Sequence, residues 1–420
     1  MSRRRFVIIG ASLAGATAAA TLRDEGFDGE IQLIGDEPQL PYHRPPLSKG
    51  YLRGQERFEN QLIKPARYYA EQGIELKRGT RAAAIDPRQK LVALDGGEVI
   101  TYDRLLVATG GRNRPLAEPG ASLTGILQLR TVEDSDRIRA EARAGRRAVV
   151  VGLGFIGSEV AASLCQLGVE VAAIESHSVP LARVLGAEVG QTLADIHREK
   201  GVELVLEDSV AAFEGSRRVE GVRTKKGRLL ACDLVVAGIG IIPNSELLSA
   251  VGASVDNGVL VDEQCRTSLP DIFAAGDVTN HLHPIFGRIR VEHWNNGDRQ
   301  GRAAARSMLD RGQPYDYLHS FWSDQYEHLV EYIGFAASWD HLVFRGRPAS
   351  RKFLGFYLKE GVIRAAVGLN RGGDPEDPKV DGELKAVAHL IRDRVPVDAG
   401  RLADEDIDLG RLVTMTGRHS

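Results

Sequence analysis

Phe6-Val7-Ile8-Ile9-Gly10-Ala11-Ser12-Leu13-Ala14-Gly15 opens the chain, and Ala148-Val149-Val150-Val151-Gly152-Leu153-Gly154-Phe155-Ile156-Gly157 repeats its plan in the middle. Each is a short apolar run, then a Gly-rich turn, then an apolar pattern of helical period. A strand feeding a helix through such a turn separates a dinucleotide fingerprint from a chance glycine spacing. The helix N-terminus offers unpaired N–H groups and the positive end of its dipole to a doubly charged pyrophosphate. The glycines let the backbone turn tightly and approach the phosphates. In the second copy all three sites are glycine: Gly152, Gly154 and Gly157. In the first, Gly10 and Gly15 flank Ser12, whose Cβ narrows the approach and whose hydroxyl can donate to a phosphate. Leu13 and Ala14 complete the first turn, Phe155 and Ile156 the second. Two such sites suggest one dinucleotide held permanently and another that delivers electrons.

Each unit should end its second strand on an acid that holds a ribose hydroxyl, roughly 20 residues on. Glu30-Ile31-Gln32-Leu33-Ile34-Gly35-Asp36 places Asp36 there, and Glu170-Val171-Ala172-Ala173-Ile174-Glu175 places Glu175. A carboxylate at Glu175 repels a 2′-phosphate and argues for NADH over NADPH. Arg183, further along, tempers that preference.

A chain of 420 residues is long for one core and suggests two or three domains. Apolar content of 43% and charged content of 26% are those of soluble globular proteins. With 54 Lys plus Arg against 57 Asp plus Glu, the net charge of −3 argues against a general nucleic-acid binder. No apolar run approaches the roughly 20 residues of a membrane span. Arg3-Arg4-Arg5 reads as a solvated cap on the first strand rather than a targeting patch. Cys165, Cys232 and Cys265 stand far apart, with no CxxC or CxxxxC pattern. The chain thus lacks a redox disulfide beside a flavin and four thiolates for a cluster of its own. Three inert thiols suggest a cytoplasmic protein.

Along the chain, the prolines of Leu40-Pro41-Tyr42-His43-Arg44-Pro45-Pro46-Leu47-Ser48-Lys49 delay regular structure to Leu47. A helix capped near Ser48 is then expected through Gly50-Tyr51-Leu52. Short strands are expected at 74–76, 82–85 and 91–94. Buried strands run into the small-residue turns Ala108-Thr109-Gly110 and Gly238-Ile239-Gly240, and a third closes at Gly276-Asp277. A helix is expected near 296–310. The last hundred residues alternate strands and end in a helix from Glu383 to Arg394, a separate α+β domain. The fold class is α/β: a first Rossmann-like domain of 1–112 and 242–320, a second of 113–241 inserted in it, and a C-terminal α+β domain of 321–420.

Both fingerprints, Ala108-Thr109-Gly110 and Ile272-Phe273-Ala274-Ala275-Gly276-Asp277 together resemble the glutathione-reductase superfamily of flavoproteins. Within it, Arg44-Pro45-Pro46-Leu47-Ser48-Lys49 and Phe321-Trp322-Ser323-Asp324-Gln325 resemble the ferredoxin reductases of bacterial oxygenase systems, over nearly the whole chain. Ser12 departs from the glycine pattern. Disulfide reductases of the superfamily carry a cysteine pair where this chain has Tyr42-His43-Arg44-Pro45-Pro46, so their chemistry is excluded.

The resemblance implies tightly bound FAD in the first site and NADH in the second. Gly10, Ser12, Leu13, Ala14 and Gly15 would cradle the FAD pyrophosphate, with Asp36 on its ribose. Arg44, Ala82, the Ala108-Thr109-Gly110 turn, Arg130, Gly276 and Asp277 would add contacts to FAD. Gly152, Gly154, Phe155, Ile156, Gly157, Glu175, Arg183 and Gly238-Ile239-Gly240 would hold NADH. Lys49 would favour reduced, anionic flavin, paired with Glu159, which bounds the nicotinamide pocket. Glu292, His293, Trp294 and Trp322 would line the flavin's outer edge, or the two tryptophans pack a domain interface. Arg288, Arg290, Arg345, Arg347 and Arg351 either steer an acidic ferredoxin or form a solvated face. The implied activity is electron transfer from NADH through FAD to a small [2Fe–2S] ferredoxin, or another iron–sulfur acceptor, that feeds a cytochrome P450 or Rieske dioxygenase. The alternatives are a rubredoxin reductase, an NADH oxidase, or an NADH-sensing switch like apoptosis-inducing factor. Oligomeric state is left open.

Overall fold

Arg5–Ile9 and Arg147–Val151 are the central strands of two five-stranded parallel sheets of one plan. They are seen in a computed structural model that describes residues 4–376, 379–380 and 382–414. Arg3 of the basic run and residues 415–420 of the expected C-terminal domain lie outside the described residues. The chain divides into two compact units. The first takes residues 1–44, 58–112 and 241–317; the second takes 45–57, 113–240 and 318–420.

In the first unit the strand order is 272–274, 104–107, 5–9, 30–34, 74–77. Phe6, Ile8, Leu33 and Leu106 pack on the helix Leu13–Asp24, and Val7, Ile9, Leu105 and Val107 face the opposite layer. Strands buried on both faces read as continuous apolar runs, which is why these segments show no alternation. The helix Trp294–Met308 lies close along the fingerprint helix. A Cβ at Gly301 would fall 2.5 Å from the Ala14 carbonyl oxygen, so this approach depends on glycine. Arg5 does not present a free charge: it pairs with Glu30 at 2.6 Å and donates to Thr101 at 2.8 Å.

The second unit repeats the sheet with order 203–206, 170–175, 147–151, 234–237, 126–128. In both units a three-stranded antiparallel sheet intervenes between two parallel strands: 82–101 between 74–77 and 104–107, and 210–231 between 203–206 and 234–237. The duplication therefore extends beyond the two turns. A further five-stranded sheet, antiparallel in every pairing, runs 320–325, 328–334, 362–369, 352–359, 341–347. Leu185, Val189, Leu193 and Ile196 of the helix Ala182–Glu199 share a core with its Tyr332, Phe353, Tyr357 and Val367.

Residues 45–57 differ from the sequence reading. A short 3₁₀ helix starts at Pro45 itself, and 50–54 form turns rather than a helix. Proline suits a first helical position, because its missing N–H is one that needs no partner there. Ser48 does not cap a helix; its hydroxyl is committed to Glu159. The segment is stitched within the second unit. Ser135 donates to the Leu47 carbonyl at 2.8 Å, Ser163 to the Ser48 carbonyl at 2.7 Å, and Tyr51 to Asp136 at 2.9 Å. Leu52 enters the core beneath the second sheet. The C-terminal helix ends at Arg392, two residues before the expected Arg394, and the helix expected at 296–310 runs 294–308.

Candidate functional site

The first fingerprint turn is built to stay empty of side chains. Gly10 has φ of +110°, and a Cβ there would meet the Ala108 carbonyl oxygen at 2.1 Å. A Cβ at Gly15 would meet the Gly10 carbonyl oxygen at 1.9 Å. Ser12 is the N-cap residue of the helix Leu13–Asp24, yet its side chain makes no capping bond. The first-turn N–H groups and the Ser12 hydroxyl are thus available to a phosphate, and the residues fit the pyrophosphate of FAD.

Around this turn the first unit gathers several of the expected residues. Asp36 is exposed just past the strand Glu30–Ile34. Ala82 starts the strand Ala82–Asp86 and is buried in the core. Thr109 donates to the Asn244 carbonyl at 2.8 Å, and Asn244 returns a bond to the Thr109 carbonyl at 2.9 Å, which locks the Ala108-Thr109-Gly110 turn. Gly276 is anchored by Gln300, whose side-chain oxygen accepts from its N–H at 2.8 Å. Arg44 donates to Glu37 and, at 3.2 Å, to the Tyr42 hydroxyl. Burial works against its charge, but Glu37, Tyr42 and Asp277 together hold its pKa above the usual arginine value. Trp294 donates its indole N–H to Nδ1 of His43 at 3.0 Å. Burial pulls the His293 pKa down to about 4 although Asp277 opposes.

The second turn repeats the glycine logic. Gly152 has φ of +88°, and a Cβ would stand 2.6 Å from the Gly238 carbonyl oxygen. A Cβ at Gly157 would stand 1.9 Å from the Gly152 carbonyl oxygen, whereas Gly154 faces open space. Ile156 is 46% exposed on the first turn of the helix Phe155–Gln166. Glu175 leans over this turn: one oxygen accepts from Leu153 N–H at 2.8 Å, the other from His177 N–H at 3.0 Å and His177 Nδ1 at 2.8 Å. Burial alone would raise its pKa, but the bonds from His177, Leu153 and Ser176 hold it below the usual carboxylate range. Arg183 donates Nε–H to His177 Nε2 at 3.1 Å, so it is engaged by the same group. Sequence reading missed His177; its place two residues past the acid was the available signal.

Lys49, Glu159, Arg130 and Trp322 belong to the second unit. Lys49 Nζ stands 3.0 Å from Glu159 Oε1, with 11% and 3% of the two side chains exposed. Burial pushes the Glu159 carboxyl up; Lys49 and the hydroxyls of Ser48 and Ser323 oppose it. Ser48 donates to Oε2 and Ser323 to Oε1, the latter at 2.7 Å. Neither serine was a sequence candidate. Arg130 precedes the capping box of Thr131 and Asp134, whose carboxylate accepts its N–H at 2.9 Å.

Trp322 is 38% exposed on the strand Ser320–Gln325. The five arginines do not form one solvated set. Arg345 is buried, pairs with Glu383 at 2.6 Å and donates to the carbonyls of Leu402, Asp404, Glu405 and Ile407. Arg351 pairs with Glu199, Arg290 with Glu292, and Arg288 donates to the Asn280 carbonyl. Arg345 is therefore a structural clamp and not a steering charge. The thiols are free, and burial pushes Cys232 up to about 12 and raises Cys265 and Cys165. Among the described residues no cluster offers a metal site, and no helix is long and apolar enough to cross a membrane.

Comparison with known proteins agrees with this plan. Residues 4–301 match the family described as pyridine nucleotide-disulphide oxidoreductase, and residues 320–413 match the reductase C-terminal family. The chain is 39% identical over 415 residues to the 5,5′-dehydrodivanillate O-demethylase ferredoxin reductase subunit of Sphingobium sp. strain SYK-6, covering 98% of each. It is 36% identical to putidaredoxin reductase of Pseudomonas putida, over 97% of this chain and 96% of that one. The covalent putidaredoxin reductase–putidaredoxin complex superposes with a TM-score of 0.93 at 35% identity, covering 100% of both chains. The ferredoxin reductase for the CYP199A2 system of Rhodopseudomonas palustris gives 0.91 at 35% identity, over 97% and 99%.

Proposed function

The chain belongs to the pyridine nucleotide-disulphide oxidoreductase family, whose members use FAD and NAD(H), and on that premise we propose that it is an NADH:ferredoxin reductase serving an oxygenase. One observation carries the reading: its likeness to ferredoxin reductases runs the full length of both chains and includes the C-terminal domain. The family's name includes disulfide chemistry, but three separate free thiols rule that chemistry out here.

When bound, FAD would supply the step-down from NADH, a two-electron donor, to a one-electron iron–sulfur acceptor. The chain's part is to bind and orient. In this reading residues 1–112 and 242–320 hold FAD, residues 113–241 hold NADH and residues 321–420 form the third domain. The turn Gly10–Gly15 and its helix take the FAD pyrophosphate, and Asp36 the ribose. The turn Gly152–Gly157 takes that of NADH. Glu175 receives ribose hydroxyls and disfavours a 2′-phosphate, so NADH is preferred to NADPH. Lys49 and Glu159 supply the charge balance for flavin reduction, and no nucleophile or general acid is required. The partner is a small [2Fe–2S] ferredoxin, and the oxygenase it serves is a cytochrome P450 or a Rieske dioxygenase.

The test is NADH consumption by the purified yellow enzyme, with cytochrome c as final acceptor, across a panel of [2Fe–2S] ferredoxins and a rubredoxin. A strong rise with a ferredoxin over the oxygen background is expected. Flavin bleaching by NADH with no stimulation by any ferredoxin would overturn the reading.

A further inference from the structure

Glu159 is held from three directions by residues of the second unit. Ser48 and Lys49 reach it from the segment 45–57, and Ser323 reaches it from the first strand of the C-terminal sheet. Ser323 and Lys49 share the same carboxylate oxygen, Oε1, at 2.7 Å and 3.0 Å, while Ser48 takes Oε2. We propose that Ser323 is a positioning residue for the Lys49–Glu159 pair: its hydroxyl fixes the carboxylate rotamer, so that the Lys49 ammonium is balanced at one place. This deepens the proposed function, because it rests on reading that pair as the group that serves flavin reduction.

The hydroxyl is itself well placed for this work. Ser323 is buried in the middle of a strand, opposite Val330, and Gln325 donates to its oxygen at 3.3 Å. It therefore has an outside donor and directs its own proton at Glu159. Lys49 also donates to the Pro45 carbonyl at 3.3 Å. Without the Ser323 hydroxyl, Oε1 faces Lys49 alone and the buried carboxylate gains freedom to turn. Losing one hydrogen bond to a charged group leaves the buried charge less well solvated. The carboxyl then takes a proton at a higher pH, and Lys49 loses its counter-charge. The charged group facing Glu159 is Lys49; Arg53 donates to Ser163, one turn along the helix from Glu159, at 3.0 Å. Trp322, the neighbour in sequence, lies on the other face of the strand, so a change at 323 leaves that surface as it is.

The experiment compares Ser323→Ala with Ser323→Thr in the holoenzyme, with Lys49→Met as reference. Two readouts are taken: the flavin midpoint potential by anaerobic spectroelectrochemistry, and the pH profile of flavin reduction by NADH in stopped flow. Ser323→Ala is expected to shift the potential positive, move the profile's inflection to higher pH and slow reduction about tenfold. The NADH dissociation constant should stay within about twofold, since a positioning loss acts on the rate. Ser323→Thr retains the hydroxyl and should restore the wild-type values. If Ser323→Ala fails to retain FAD, Ser323→Cys, a weaker donor of similar size, takes its place with the same readouts. A wild-type potential and profile in the variant that lacks the hydroxyl overturns the proposal while Lys49→Met still lowers the potential. If Lys49→Met also leaves the potential unmoved, the reading of the pair itself falls.

Discussion

Trp294 donates its indole N–H to Nδ1 of His43 at 3.0 Å, joining two residues 251 positions apart. The bond makes Nδ1 an acceptor, so the proton of the neutral ring sits on Nε2. It also ties the start of the helix Trp294–Met308 to the segment just before the prolines. Trp294→Phe keeps the ring contact and removes the donor. A loss of about 0.5–1.5 kcal/mol is expected from urea unfolding. An unchanged midpoint would mean that the bond contributes nothing net.

The histidines set an acid limit on stability. His43 is depressed by burial, with Asp298 opposing. His293 and His197 are depressed to about 4 and His281 to about 3, all chiefly by burial. A folded-state value below the unfolded one, about 6.5, means the unfolded chain binds the proton first. The contribution is complete above about pH 6.5 and is lost as pH falls through the folded values. Glu175 and Glu383 add to the loss further down, since burial is outweighed at both by their hydrogen bonds. Urea midpoints are expected to be level between pH 7 and 8 and to fall from about 6.5 towards 4. A midpoint that holds to pH 5 would show that the rings protonate without cost.

Gly157→Ala separates the two dinucleotide sites. The new Cβ would sit 1.9 Å from the Gly152 carbonyl oxygen, which is backbone and cannot swing aside. Overpacking of this kind costs about 1–3 kcal/mol, roughly 5- to 150-fold in affinity if the turn bears it. The variant should retain FAD and its yellow colour while NADH binds more weakly by that factor, as read by titration of the oxidised flavin with NAD⁺ or by stopped flow. Loss of FAD with NAD⁺ affinity intact would reverse the assignment of the two turns.

Glu159 offers a contrast between losing a charge and losing a group. Glu159→Ala leaves the Lys49 ammonium 11% exposed without its carboxylate, and removing one partner of a buried pair costs about 3–5 kcal/mol. Glu159→Gln retains an oxygen that can accept from Ser48 or Ser323 and should cost less than the alanine variant. Urea unfolding at pH 7.5 orders the two. Equal losses would show that the hydroxyls carry none of the stability.

The residues that were legible in the sequence are those whose chemistry is local. A strand, a glycine turn and an apolar helix lie within ten positions, so Gly10, Gly15, Gly152 and Gly157 declared themselves, and the acids at 36 and 175 followed from strand length. Lys49 and Glu159 were paired only through resemblance, since nothing local joins residues 110 apart. Ser48, Ser323, His177 and the His43–Trp294 bond stayed hidden because a serine or histidine gains its role from the fold that surrounds it. The helix expected at 50–52 failed for a local reason: Pro45 starts a 3₁₀ turn early, and the chain continues through 50–54 as turns. Arg345 misled because a charge on a strand looks solvated until the chain that covers it is in place.

In the proposed function, preference for NADH over NADPH is assigned to Glu175. Its carboxylate is fixed by the Leu153 N–H on one oxygen and by His177 on the other, so it cannot turn away from a 2′-phosphate. Arg183, the residue that would welcome such a phosphate, already donates to His177 at 3.1 Å. Glu175→Gln retains an acceptor for Leu153 and removes the charge. The ratio of kcat/KM for NADH over NADPH should fall by at least about tenfold, which corresponds to about 1.4 kcal/mol. Most of the change should come from a gain with NADPH, because the repulsion is what the variant removes. Arg183→Ala should leave the NADH value within about twofold, as expected for an exposed side chain whose bond is to His177. A fall in the ratio produced only by weaker NADH would mean that Glu175 selects by its ribose bonds and not by charge.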